Sequence, residues 1–473
     1  MNQIKTIFKN VSWVTLSQIV TNVFAFFWTI LIARYLGVTQ YGILSFVLSL
    51  VMIIGIGEDI GITTYTTREL ARNRSLTQKF INNILPIKLI LSLILLVLTI
   101  VSLHLLGYDL LTLELTFIIF FETIFLTNAN FLSGVFQAHE NLKPSSIGSI
   151  ICSSVLLTST VIVVIFDLGV VCIAISYVLA NLCFFAYLFK NIWDVFEFPK
   201  FDFDFWRKAI LKSLPFGLTM FFYGIYFSID VVMISWLAND YATGLYNAVY
   251  KIISVFSAFY LVYQYVIYPL MSKLYSKDPN LLKLSFNQSI KYSLLILLPI
   301  IIGMYFYSPY LIDLIYTNQY ALASLAMQIL IWAVIFLFIN GVATSLLNSI
   351  GKEFSVTKIY IIAAIFNVAL NYLLIPKYTY IGASVATVLS EILILGLMLY
   401  AISKTDYKPD VSLLKTVIKL VISGLILAIV LYYINVSLWL AIPIGLMVYV
   451  FALFITHSID DTDKYIINEL LNR

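Results

Sequence analysis

Six charged side chains lie inside segments that are otherwise apolar, and these residues have the clearest potential for chemistry. They are Glu58, Asp59, Glu122, Asp230, Lys251 and Glu391. A charged side chain at hydrocarbon depth destabilises a membrane helix by about 3 kcal/mol or more unless it is paired or hydrated. Acids and bases retained at such positions are therefore candidates for binding, gating or ion coupling.

Glu58 and Asp59 lie among glycines, which allow close helix approach and local bending. Gln18 and Asn22 fall at the depth of Asp59 on the preceding antiparallel segment, so one face of that segment is polar. One interpretation is a hydrated cavity wall with a titratable acid. The other is a latch of hydrogen bonds between helices, and the two interpretations are compatible.

Asp230 and Lys251 flank a polar turn and lie about 10 Å below the same membrane surface. They could form a buried salt bridge that fixes a helix pair, or a gate, or Lys251 could be a cationic contact for substrate phosphate. Glu122 and Glu391 lie near Asn128 and Asn367, and either glutamate is a candidate proton or sodium site.

Several classes of function lack the residues that they need. The sequence has no Walker A motif and no catalytic serine or zinc-protease motif. The three cysteines and three histidines show no metal-ligand spacing, so we predict no metal and no bound cofactor. The net charge of +4 does not indicate nucleic-acid binding, and the predicted outer loops are too short for an enzyme active site.

The elements that must position these residues are membrane helices. Of the 473 residues, 62% are hydrophobic and 11% charged, and apolar segments of helix-spanning length recur along the whole chain. We predict an all-α polytopic fold of about fourteen spans: 12–36, 43–66, 81–103, 113–135, 147–166, 169–189, 213–237, 245–270, 287–306, 322–346, 357–375, 382–402, 413–433 and 437–456.

All but three of the 28 basic residues fall on one face of these spans, the exceptions being Arg34, Lys251 and Lys377. Because short cytoplasmic loops carry an excess of Lys and Arg, we expect both termini in the cytoplasm and the protein in the cytoplasmic membrane.

An internal repeat relates the two halves of the chain. The turn at residues 36–43 resembles the turn at 237–245, and residues 176–181 resemble 386–391. The matches fall six spans apart, so the repeat is parallel, and parallel repeats place the substrate site between two lobes. We expect a six-helix lobe at 1–190, a cytoplasmic amphipathic linker at 191–212, a second lobe at 213–403, and an added helix pair with a cytoplasmic tail at 404–473.

Eight short motifs, in order, carry a family resemblance: IARYLG at 32–37, YG at 41–42, DIG at 59–61, RELAR at 68–72, FQA at 136–138, LPFG at 214–217, GLYN at 244–247 and IGASVAT at 381–387. With them the chain resembles the oligosaccharide flippases of the multidrug/oligosaccharidyl-lipid/polysaccharide exporter superfamily, in the O-antigen (Wzx-like) branch. The resemblance covers nearly the whole chain.

The resemblance implies alternating access and a polyprenyl-diphosphate-linked oligosaccharide as cargo, with membrane lipids, a glycan polymerase and glycosyltransferases as expected partners. Under it, Arg34, Arg68 and Lys251 are the candidate cations for the diphosphate. Asp59 is the candidate coupling acid for H⁺ or Na⁺, and Asp230, Glu58, Glu122 and Glu391 are further coupling or gating candidates. A cation-coupled drug or solute exporter of the same superfamily and a membrane-embedded glycan polymerase are the alternatives.

The bias of basic residues predicts the topology. A cysteine at Thr39 or Asn239 should react with an impermeant thiol reagent added to intact cells, because both positions lie in outer turns. A cysteine at Ser75 or Ser276 should be protected. Labelling at Ser75 and Ser276 with protection at Thr39 and Asn239 would reverse the orientation.

Overall fold

The computed structural model describes residues 2–197, 202–434 and 436–458. Within these ranges the chain forms α-helices and short 3₁₀ turns, without a β-strand. The predicted all-α fold is confirmed, and the predicted cytoplasmic tail after residue 458 lies outside the described ranges. The helices are α1 (Asn2–Asp59), α2 (Ile62–Arg72), α3 (Thr77–Leu105), α4 (Leu110–Ala138), α5 (Lys143–Ile165), α6 (Gly169–Lys190), α7 (Phe203–Leu237), α8 (Asp240–Lys277), α9 (Pro279–Phe306), α10 (Ser308–Tyr316), α11 (Ala323–Leu330), α12 (Ala333–Ser349), α13 (Glu353–Ser403), α14 (Val411–Tyr433) and α15 (Leu438–Ile455).

The number of membrane crossings agrees with the sequence. In the described ranges, 11 helices are long and apolar enough to cross a membrane, or 12 when the two arms of α7, bent by 60°, count as one span. Two of these helices extend over 51 residues each, whereas one crossing needs about 20. Non-helical residues, Gly37 in α1 and Thr379 in α13, divide each into two arms. Each therefore supplies two crossings, in agreement with the fourteen predicted spans.

The chain divides into two compact units between Gly244 and Leu245. The first unit holds α1 to α7, and the second holds most of α8 and all of α9 to α15. The lobe and linker boundaries predicted above were drawn from the internal repeat. A division into compact units does not test them, so they stay predictions.

The second predicted span, 43–66, is broken near its end by two residues in the left-handed backbone region. Ile60 has a φ of 45° and Gly61 a φ of 76°, which ends α1 at Asp59 and sets α2 in a new direction. A β-carbon on Gly61 would lie 2.4 Å from the backbone nitrogen of Gly217 in α7. One on Gly217 would lie 2.6 Å from the carbonyl of Ile60. Backbone therefore packs directly on backbone where α7 passes the helix break.

The two turns that the repeat aligns lie against each other inside the first unit. A β-carbon on Gly42 would lie 1.8 Å from the carbonyl oxygen of Asp240, and one on Gly244 would lie 2.0 Å from the carbonyl oxygen of Val38. Each glycine thus faces the backbone of the other turn. This reciprocal contact is consistent with the alignment of the two turns.

The start of α7 is held against α3 by one side-chain amide. The Asn83 oxygen accepts hydrogen bonds from Trp206 Nε1 at 3.0 Å and from the Asp202 backbone nitrogen at 3.2 Å. Asp202 caps α7 by accepting a bond from the Phe205 amide at 2.9 Å, and it pairs with Lys79 at 2.9 Å. The Phe205 amide, followed by the Lys79 ammonium, lowers the pKa of Asp202. The predicted role of residues 191–212 as a cytoplasmic amphipathic linker stays a prediction.

Gly217→Ala should destabilise the protein, because the added β-carbon meets the backbone of Ile60, which cannot rotate away. Overpacking of this kind typically costs about 1–3 kcal/mol. The measurement is the thermal unfolding midpoint of the detergent-solubilised protein.

Gly396→Ala is the matched control, because Gly396 lies within helix α13 and an added β-carbon there has no neighbour within 4 Å. Alanine should leave that helix as stable or more stable. Equal unfolding midpoints for the two variants would contradict the close packing at the break.

Candidate functional site

Asp59, the predicted coupling acid, is the last residue of α1 and lies in a buried ion pair. One carboxylate oxygen is 2.5 Å from the ammonium nitrogen of Lys88 in α3. The Thr63 hydroxyl donates to the same oxygen, and the Thr63 backbone amide donates to the other at 3.4 Å. The carboxylate therefore binds a cation and also bonds to the first turn of α2. It joins three helices where the backbone changes direction.

Lys88 is the partner that sequence reasoning did not assign. Its side chain is 0% exposed, and it lies well inside α3. Gln18 and Asn22, which the sequence placed at the depth of Asp59, instead bond to each other at 3.0 Å on an exposed face of α1. An ammonium compensates a buried carboxylate far better than an amide does, because it cancels the charge. A lone lysine in an apolar stretch was the available signal.

Glu58 precedes Asp59 and is fully buried. Its Oε2 accepts a hydrogen bond from the Thr127 hydroxyl of α4 at 3.0 Å. Its Oε1 is enclosed and has no hydrogen-bond partner within the described part of the chain. Gly55, one turn earlier, lets α4 come close, since a β-carbon there would lie 2.7 Å from the Thr123 methyl group. The two adjacent acids therefore have different surroundings: Asp59 contacts a cation, whereas Glu58 contacts the hydroxyl groups of Thr127 and Ser92.

The other two buried glutamates each bond to an asparagine on a neighbouring helix. Glu122 of α4 accepts from the Asn181 amide of α6 at 2.9 Å in the first unit. Glu391 of α13 accepts from the Asn340 amide of α12 at 2.7 Å in the second. The repeat aligns residue 181 with residue 391. The helix that carries the asparagine in the first unit therefore corresponds to the helix that carries the glutamate in the second unit. Both contacts are buried links between helices, and a role in coupling or gating stays a prediction.

The candidate cations have different surroundings. Arg34 in α1 and Lys251 in α8 are exposed. The Arg68 guanidinium of α2 lies 5.6 Å from the ring centre of Tyr65 and 5.2 Å from that of Phe216, and it pairs with Glu69 at 2.9 Å. The two rings and the carboxylate hold the guanidinium in one orientation.

The predicted pairing of Asp230 with Lys251 stays a prediction. Asp230 is a buried residue of the first unit, at 5% exposure, whereas Lys251 belongs to the second unit.

The described ranges contain no candidate metal centre. They contain no group of three or more His, Cys, Asp or Glu side chains that could hold a metal ion. In the described part of the first unit, the carboxylate of Asp59 pairs with the ammonium of Lys88, whereas the buried carboxyl groups of Glu58 and Glu122 bond to neutral hydroxyl or amide groups. Such a site can bind and release a proton.

Curated relatives are similar to parts of the chain. The uncharacterized membrane protein MJ1068 of Methanocaldococcus jannaschii is 30% identical over 204 residues, which are 40% of this chain and 39% of that protein. The probable low-salt glycan biosynthesis flippase Agl15 of Haloferax volcanii is 22% identical over 204 residues, 43% of this chain and 40% of that protein. The matches thus span about two fifths of the length of these relatives.

Solved structures show the same fold over most of the chain. A lipid II flippase MurJ in its inward closed conformation matches with a TM-score of 0.78 at 16% identity, over 93% of this chain and 97% of that one. An inward-facing multidrug resistance MATE family transporter of the MOP superfamily matches with a TM-score of 0.64 at 14% identity, over 82% and 96%. At these identities the likeness shows the fold alone.

Family profiles cover both halves of the sequence. A profile described as MatE matches residues 215–373, and one described as polysaccharide biosynthesis protein matches residues 7–275, which is more than half of the chain. The resemblance drawn from the sequence motifs is therefore confirmed at the level of the family: this multi-pass membrane protein belongs to the polysaccharide biosynthesis protein family.

Proposed function

We propose that the protein moves a polyprenyl-diphosphate-linked oligosaccharide from the cytoplasmic to the outer leaflet by alternating access, for surface polysaccharide assembly. The observation that carries the proposal is the combination of a polysaccharide biosynthesis profile with the fold of a lipid II flippase over 93% of the chain. The relative described as a probable glycan biosynthesis flippase supports the same class of cargo. The proposal places the protein in the cytoplasmic membrane with both termini inside and gives it no enzymatic step.

The cargo sets physical requirements that the candidate residues can meet. A diphosphate carries concentrated negative charge and is bound by guanidinium and ammonium groups, while a polyprenyl tail remains in lipid. Arg34 and Lys251 are exposed cations within spans, and Arg68 is a cation held by aromatic rings. We assign these three residues to the diphosphate, with Arg68 meeting it on the cytoplasmic side.

The acids of the first unit supply the proposed coupling to an ion gradient. Glu58 and Asp59 lie beside the helix break, where α1, α2, α3 and α4 meet. Binding or loss of a cation at this point would change the charge at a junction of four helices. Coupling to H⁺ or Na⁺ through Asp59 and its neighbours is therefore part of the proposal, as are a glycan polymerase and glycosyltransferases as functional partners.

A cation-coupled drug or solute exporter is the second candidate, because the MatE profile matches residues 215–373. The two candidates differ in cargo and not in architecture. An exporter would move small amphipathic cations and would not need cationic residues for a diphosphate. The same reconstituted protein can therefore be offered both kinds of cargo.

The deciding experiment is translocation of a fluorescently labelled lipid-linked oligosaccharide in proteoliposomes. Arg34→Gln and Lys251→Gln should each lower the initial rate by about tenfold, because a charged hydrogen bond to phosphate contributes about 1.5–3 kcal/mol. Asp59→Asn should make the remaining transport independent of the ion gradient.

Lys377→Gln is the matched control, because Lys377 is an exposed lysine of α13 to which no role in cargo binding is assigned. It should transport at the wild-type rate. Wild-type rates and wild-type gradient dependence in Arg34→Gln, Lys251→Gln and Asp59→Asn would contradict the assignment of the site. Movement of aromatic cations without movement of the oligosaccharide would favour the exporter.

A further inference from the structure

The buried charges around Glu58 do not balance if every acid is ionised. Asp59 and Lys88 form one neutral pair, with a 2.5 Å contact between carboxylate and ammonium. Glu58 is the adjacent residue, is 0% exposed and has only neutral hydroxyl groups, those of Thr127 and Ser92, as side-chain hydrogen-bonding neighbours. An ionised Glu58 would leave a net charge of −1 in a fully enclosed space. An uncompensated charge there destabilises a membrane helix by about 3 kcal/mol or more.

Among the described residues, the helices that face Glu58 offer no second cation to balance it. On α3 the facing charge is Lys88, which already contacts Asp59. On α4 the nearest charged group is another acid, Glu122, which interacts unfavourably with an ionised Glu58. On α7 the residue opposite this turn of α1 is Gly224, whose β-carbon would touch Ile56, and the α7 acid Asp230 lies about 9 Å farther along that helix.

The enclosed oxygen of Glu58 agrees with this charge count. Oε1 has no hydrogen-bond partner in the described part of the protein. An ionised carboxylate requires donors at both oxygens when it is buried, whereas a protonated one carries its own hydrogen and tolerates a poor environment. The hydroxyl of Thr127 satisfies the remaining oxygen.

We propose that Glu58 is a proton-binding site: it carries a proton in this conformation, and Lys88 is the cation for which Glu58 and Asp59 compete when that proton leaves. Loss of the proton would turn Glu58 into a second anion within electrostatic range of the Lys88 ammonium. The ammonium could then shift from Asp59 toward Glu58. Because Asp59 also bonds to the first turn of α2, this shift would release one of the contacts that hold α2.

The role of this proton in driving transport rests on the proposed flippase function, whereas its presence on Glu58 does not. The inference also separates the two acids, for it assigns the proton to Glu58 and makes Asp59 the partner of Lys88 while Glu58 is protonated. The test therefore uses a spectroscopic readout of the proton that does not depend on cargo.

The experiment is infrared spectroscopy of the full-length protein in lipid nanodiscs, which resolves the carbonyl stretch of protonated carboxyl groups. Charge balance predicts a different result for each substitution. Glu58→Gln removes one protonated-carboxyl band. Asp59→Asn also removes one, because Glu58 then ionises to compensate Lys88. Lys88→Met adds one, because Asp59 then takes up a proton.

Glu122→Gln serves as the control for a second buried glutamate, and it should leave the band of Glu58 in place. Incorporation of glutamate labelled with ¹³C at the side-chain carboxyl should shift the wild-type band, and labelled aspartate should not. This labelling shows in the wild-type protein whether a glutamate carries the proton, and the loss of the band in Glu58→Gln assigns it to Glu58. A wild-type spectrum without a protonated glutamate, or an unchanged spectrum in Glu58→Gln, would overturn the proposal.

The proteoliposome assay distinguishes a failure of this inference from a failure of the proposed function. If wild-type protein shows the glutamate band but moves no oligosaccharide, the proton site stands and the flippase proposal fails. If it moves oligosaccharide but shows no protonated glutamate, the flippase proposal stands and the proton site fails. If both hold, transport by Glu58→Gln should lose its dependence on a pH gradient.

Discussion

The ion pair between Asp59 and Lys88 is the interaction on which the first unit depends. Two opposite charges 2.5 Å apart, with Lys88 at 0% exposure, are stable only because each compensates the other. A buried charge left without a partner typically destabilises a protein by about 3–5 kcal/mol, so removal of Asp59 or Lys88 forces Glu58 to ionise or Asp59 to take up a proton. The pair also fixes geometry, since Asp59 is the last residue of α1, bonds to Thr63 of α2 and contacts α3.

The surrounding helices are built so that this pair can form. The left-handed residues Ile60 and Gly61 turn the chain directly after Asp59, and so the carboxylate can reach the first turn of α2. Gly217 allows α7 to pass against this turn, backbone to backbone. Under the proposed function, a junction that holds one neutral pair and one extra acid can respond to a single proton, as the coupling site of an alternating-access transporter must.

More of the fold than of the candidate site could be predicted from the sequence. Hydropathy gave the helical spans and the family motifs gave the superfamily, because span length and short turn motifs are local properties of the chain. The glycines around Glu58 and Asp59 indicated local bending, although the predicted second span, 43–66, did not include the break after Asp59. The partner of Asp59 was not predictable in this way. Gln18 and Asn22 were predicted to lie near Asp59 from their depth in the membrane alone. The contact with Lys88 of α3 depends on which helices lie side by side, and the sequence does not show this. The bonds of Glu122 and Glu391 to asparagines on neighbouring helices depend on the same lateral packing.

The stabilising pair is tested most directly by a double-mutant cycle of Asp59→Asn and Lys88→Met, measured by equilibrium unfolding in mixed micelles. The cycle is carried out in the Glu58→Gln background, so that Glu58 cannot compensate Lys88 once Asp59 is replaced. Each single change should lower the free energy of unfolding by more than the double change does, because the double change leaves no buried charge without a partner. Additive losses in the double variant would contradict the account, since they would show that Asp59 and Lys88 contribute independently.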